Sequence, residues 1–129
     1  MYLRWLFYLV AVLSVLYGLG FLLIPDTLAS AYGAQPNATA IVIARYWAAL
    51  LLPFGYVTWI AATTGGSPLK LHVARATEFV AILNIIVTLL AMSGGVISTA
   101  GGILNLVLSA ILTIGFGYYA WAKTDAATM

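Results

Sequence analysis

The sequence predicts an all-α integral membrane protein, a four-helix transmembrane bundle. Three observations predict it. Hydrophobic residues make up 64% of the chain and charged residues only 6%, where a soluble domain holds about 45–50% and about 25%. Four apolar stretches, Leu3–Ile24, Ile41–Ala62, Arg75–Ser93 and Gly102–Ala122, stand in a chain of 129 residues. A helix needs about 20 residues to cross a bilayer, and each stretch is long enough, the third only just. The connecting segments are too short for a further domain. Open strands do not survive in lipid, because backbone groups there must pair internally. A closed barrel needs shorter, alternating segments.

The first stretch follows a basic start at Arg4, and Ala29-Ser30-Ala31 resembles a cleavage site. Its apolar core, Leu6 to Ile24, is longer than the usual signal core of about 7–15 residues, so it reads as a span. Pro25 ends it. Pro25–Tyr32 then reads as a short interfacial helix with Leu28 and Tyr32 toward lipid and Gly33 closing it. Gln35-Pro36-Asn37 is a loop, and Asn37-Ala38-Thr39 matches a glycosylation sequon. Thr64–Ala74, with two glycines and Pro68, reads as the second loop. Gly94, Gly95, Gly101 and Gly102 frame a tight third.

Orientation follows from positive charge beside the spans. Arg4, Lys70, Arg75 and Lys123 fall on one side of a four-span bundle and Arg45 on the other. Both termini are expected on the cytoplasmic side, and the expected setting of such a chain is a bacterial cytoplasmic membrane.

Each span carries small or polar residues at helical spacing. The stripes are Phe7, Ala11, Ser14, Gly18 and Phe21; Ala44, Ala48, Leu51, Gly55, Thr58 and Ala62; Thr77, Ala81, Asn84, Thr88 and Ala91; and Gly102, Asn105, Ser109, Thr113 and Gly117. Small residues let helices approach closely in lipid, and Asn or Thr can hydrogen-bond across the contact. Such stripes are packing faces first and cavity linings or subunit contacts second. Gly18, Gly20, Ser109 and Gly115 are the expected close contacts with a partner. Pro53 is expected to kink the second span.

The ligand or partner candidates are Arg45, Glu78, Asn84, His72, Asn105 and Ser109. A charge inside a span is costly and functional by default. Arg45 is nevertheless shallow enough to snorkel or to pair with Asp26. Glu78 can pair with Arg75, three residues earlier on its helix. Asn84, the deepest strong hydrogen-bonding group, is expected to bond a neighbouring helix. His72 lies at the membrane boundary. The absence of cysteine and the single histidine exclude the familiar multi-ligand metal sites. No nucleotide-binding loop, Ser-His-Asp set, paired carboxylates or HExxH motif is present, so no enzyme activity is expected. Five basic residues are too few for a nucleic-acid surface.

The plan of four spans, Gly18-Leu-Gly-Phe-Leu-Leu-Ile-Pro25 at the end of the first, and Ala44-Arg45 opening the second resemble the small four-helix membrane proteins of bacteria, the DoxX-like group. The resemblance implies the architecture and transfers no functional residue. The function expected is a non-catalytic accessory subunit, in a homo-oligomer or with other membrane subunits. The alternatives are a binder or carrier of a lipid, quinone or other hydrophobic molecule, and a haem or pigment protein ligated by His72. Membrane lipids are the common partner in all three.

Overall fold

A computed structural model describes residues 2–65 and 67–122. The secondary structure of the described residues is all helical. Helix α1 spans Leu3–Leu23, α2 Pro25–Ala31, α3 Ala38–Thr63, α4 Pro68–Ser93 and α5 Thr99–Gly117, and a π-helical turn, Tyr118–Ala122, ends α5. Four of these helices are long and apolar enough to cross a membrane. They run alternately up and down. The starts of α1 and α4 and the ends of α3 and α5 share one end, here the near end. Helix α2 and the α4–α5 turn lie at the far end.

The helix starts have local causes. Asn37 accepts from the Ala40 N–H to open α3, Ser67 from the Lys70 N–H to open α4, and Ser98 from the Gly101 N–H to open α5. Each side chain satisfies an amide that the helix itself leaves unpaired. Pro68 follows Ser67 at the first helical position, where its missing N–H costs nothing. This pair starts α4 seven residues ahead of Arg75. Lys70, His72 and Arg75 are therefore helical, and most of the expected second loop is the first two turns of α4. In the same way α5 begins at Thr99, so Gly101 and Gly102 are inside it.

The four long helices form two antiparallel pairs, α1 with α3 and α4 with α5. Small residues set both contacts. In the first pair a Cβ on Gly55 would stand 3.3 Å from the Ala11 carbonyl, and one on Gly18 would meet Leu52 at 2.8 Å. In the second a Cβ on Gly102 would collide with Met92, and one on Gly117 would come within 2.8 Å of the Glu78 carboxylate. All four small-residue stripes therefore turn inward. Ser14, Ala48, Thr58, Thr77, Ala81 and Ser109 are buried. The residues expected to meet a partner make close contacts within the chain. Gly18 faces Leu52, Gly20 faces Leu28, Gly115 faces Leu6, and Ser109 is buried.

The two pairs join at the near end. Leu3, Leu6, Phe7 and Val10 of α1 meet Phe116, Tyr119 and Ala120 of α5, with Ala61, Ala62 and Ala74 filling the gaps. Phe7 and Phe116 meet edge to face with centroids 5.1 Å apart, a favoured aromatic geometry.

Two basic side chains of α4 close this end. The Lys70 ammonium, 2% exposed, donates to the Thr64 carbonyl at 2.9 Å. The Arg75 guanidinium donates to the Ala120 carbonyl at 3.3 Å and lies over the Trp121 ring. Each cation thus meets the carbonyl end of a descending helix, where the helix dipole is negative.

Candidate functional site

Away from the near end the two pairs separate and enclose a cleft of about 320 Å³. That volume is within the range of small-molecule sites, roughly 300–1,000 Å³. All four long helices line it. Leu51 and Phe54 of α3 and Val80, Val87, Leu108 and Leu112 of the second pair form apolar walls. Ser14 and Tyr17 of α1, Thr77, Asn84 and Thr88 of α4, and Asn105 and Ser109 of α5 supply the polar lining. Among the described residues the lining holds no Asp, Glu, Lys, Arg or His.

Most of these polar groups are already satisfied. Thr77 donates to the Val73 carbonyl at 2.8 Å. Asn105 donates from Nδ2 to Thr88 Oγ1 at 2.6 Å, tying α5 to α4. The interhelical amide bond expected of Asn84 is made by Asn105. Asn84 makes no hydrogen bond among the described residues, because its side chain faces the gap between the pairs rather than the α4–α5 seam.

The far end of the cleft carries a rim. The Tyr17 and Tyr32 hydroxyls are 2.6 Å apart. The Ser98 N–H donates to the Tyr32 carbonyl at 2.8 Å, which ties the α2 corner to the start of α5. Gly33 turns the chain here at φ +75, and a Cβ on it would meet Ser98 at 2.5 Å. Tyr32 therefore points into the protein, not toward lipid as expected. Among the described residues its phenol finds a partner only on the α1 side. Burial, then the hydrogen bond with Tyr17, pushes the Tyr32 pKa well above the ordinary tyrosine range.

The remaining sequence candidates lie outside the cleft. Arg45 is exposed about two turns into α3, and no ion pair joins it to Asp26 among the described residues. Glu78 does not pair with Arg75. Its carboxylate instead accepts from the Trp121 indole, whose ring stacks under the Arg75 guanidinium. The two side chains thus clamp the last turn of α5. Lys123, expected at the same level, lies outside the described residues. His72 is exposed near the start of α4. Pro53 is inside α3 but exposed, and it does not line the cleft. No group of three or more His, Asp or Glu side chains comes together among the described residues.

Sequence reasoning missed the rim pair and the buried role of Lys70. The Tyr17–Tyr32 contact joins residues on either side of the Pro25 corner, and no periodicity relates them. For Lys70 the Ser67-Pro68 helix start was the available signal.

Comparison with protein-family models, curated proteins and solved structures finds no match to this chain.

Proposed function

We propose that the protein holds a hydrophobic small molecule of the membrane, a lipid, quinone or similar compound, between its two helix pairs. The observation that carries this reading is the cleft itself: a space of about 320 Å³ with apolar walls, set between four membrane-length helices. Its walls match acyl or isoprenoid chains, and its scattered polar groups match one hydrogen-bonding end. Binding without turnover is part of the proposal.

The test is native mass spectrometry of the full chain released from gentle detergent, followed by extraction of what it retains. A bound molecule lost when Leu108→Trp fills the cleft supports the reading. A wild-type chain that retains nothing, and takes up nothing from a lipid extract, overturns it.

An accessory-subunit role is the second reading. Its support is the chain's form, four spans joined by short connections. Against it stands the inward turn of the small-residue faces. The large apolar side chains left outside interact with lipid about as well as with a partner helix. The same spectra decide, since a subunit appears as a stable multimer or with another chain attached.

We place both termini, and so the near end, on the cytoplasmic side, from the bias of basic residues toward that end. A reporter active only in the cytoplasm should work when fused to Met129. Activity only from a fusion near Gln35 would reverse the orientation.

A further inference from the structure

Three polar side chains in the cleft have no hydrogen-bond partner among the described residues: Ser14 on α1, Asn84 on α4 and Ser109 on α5. They share one depth. Ser14 is nine residues from Leu23, Asn84 nine from Ser93 and Ser109 ten from Thr99, each counted from the far end of its helix. At about 1.5 Å per residue that is roughly 14–15 Å, near the middle of a hydrocarbon core about 30 Å thick.

Ser14 and Ser109 are only 5% and 4% exposed. Among the described residues the sealed polar atoms without partners are Arg75 Nε and Thr113 Oγ1, not these hydroxyls, so both hydroxyls open onto the cleft. A helical serine commonly returns its hydroxyl to a carbonyl one turn back. In this bundle Thr58 and Thr77 do so, and Ser14 and Ser109 do not. Unmet polar groups at this depth are costly without a partner.

From this cluster we infer that Ser14, Asn84 and Ser109 bind the uncharged polar end of an amphiphile, a carbonyl or hydroxyl group, at mid-depth in the cleft. The inference rests on the reading of the cleft as a binding site. Two hydroxyls and a primary amide offer both donors and acceptors and carry no net charge. A carbonyl or hydroxyl is satisfied by that set. A phosphate, carboxylate or ammonium is not, because no ionic side chain lines the cleft to balance it. A charge at this depth would stand unpaired in hydrocarbon. The cleft therefore selects neutral amphiphiles over charged lipids with the same tail.

The experiment uses the full chain in lipid nanodiscs and three photoreactive probes with one shared tail. They are a long-chain alcohol with a mid-chain diazirine, the corresponding carboxylate kept ionised, and the corresponding trimethylammonium. Labelled peptides are located by mass spectrometry. The alcohol should label the cleft walls at Leu51, Val80 and Leu108 at least about tenfold more than either charged probe. Asn84→Leu should reduce that labelling about five- to tenfold, as loss of one hydrogen bond would, and Asn84→Gln should restore part of it. A Ser14→Ala, Ser109→Ala double variant serves if Asn84→Leu does not fold. Equal labelling by all three probes, or alcohol labelling unchanged in the variants, overturns the inference and leaves the cleft as an apolar site. Failure of every probe to label the cleft overturns the binding reading itself.

Discussion

The two ends of the bundle are built from the same helices with side chains of different size. At the near end, Leu3, Leu6, Phe7 and Phe116 fill the space between the helix pairs. Two turns further along α1 the facing position holds Ser14, and α4 and α5 present Ala81, Asn84 and Ser109. Small residues bring two helices together when their backbones can approach. They leave a gap when the pairs are already held apart elsewhere. Here the bulky near end and the Tyr32 corner fix that separation, and the small residues between them line a cleft. One stripe thus does two jobs: its α1–α3 and α4–α5 edges pack, and its remaining edge stays open.

The largest expected effect breaks the near end. Phe116→Ala removes the main side chain bridging the pairs. It should cost about 3 kcal/mol, the range for a buried phenylalanine that leaves a cavity. Unfolding in mixed micelles measures it. Leu108→Ala, which enlarges the cleft wall instead, should cost well under half as much. Equal losses would mean that the cleft is closed and packed like the near end.

Next comes the rim. A Cβ on Gly101 would stand 2.9 Å from the Tyr32 Cα and 3.0 Å from its carbonyl oxygen, so backbone must move. Gly101→Ala should destabilise by roughly 1–2 kcal/mol, as overpacking does, whereas Gly65→Ala, with open space around it, should be close to neutral. Thermal unfolding in detergent reads both. No difference between them would separate the Tyr32 corner from the stability of the bundle.

The two asparagines sharpen the comparison within the cleft. Asn105→Leu breaks the bond to Thr88 and should cost about 1 kcal/mol. Asn84→Leu breaks no hydrogen bond and should leave stability unchanged or slightly raised. A larger loss for Asn84→Leu would return Asn84 to the helix–helix role that its sequence position suggests.

The fold was legible because it depends on composition and period. Twenty apolar residues must span, and Ala, Gly, Ser and Thr at helical spacing mark the faces that turn inward. Stripe membership alone did not tell which helix each face would meet. Ser109 reads equally well as a subunit contact, an α4 contact or a cleft lining, and only the pairing of α1 with α3 and α4 with α5 decides. Asn84 and Asn105 are chemically identical, and their roles differ because one faces the seam and the other the gap. A short interfacial helix predicts a lipid-facing Tyr32. The Ser98 and Tyr17 contacts that turn it inward come from residues far away in the chain.

The smallest effect concerns the charge state of the rim. The Tyr32 pKa is pushed clearly upward, first by burial and then by the hydrogen bond and proximity of Tyr17. A raised pKa on an acid means that the fold favours the neutral phenol. The stabilisation linked to it is fully present below the ordinary tyrosine value of about 10, and it is lost only as pH rises through the raised value. Stability and cleft binding should therefore show no dependence on Tyr32 ionisation from mildly acidic to mildly alkaline pH. The far end should loosen only under strongly alkaline conditions. Tyrosinate absorbance checks this directly. In the difference between wild type and Tyr32→Phe, the Tyr32 step should fall above the ordinary tyrosine range. In Tyr17→Phe it should move back part of the way, because burial, the larger cause, is retained. A Tyr32 that ionises at the ordinary tyrosine value of about 10 would mean that water reaches the rim freely, and the contrast between a sealed near end and a tied far end would then be lost.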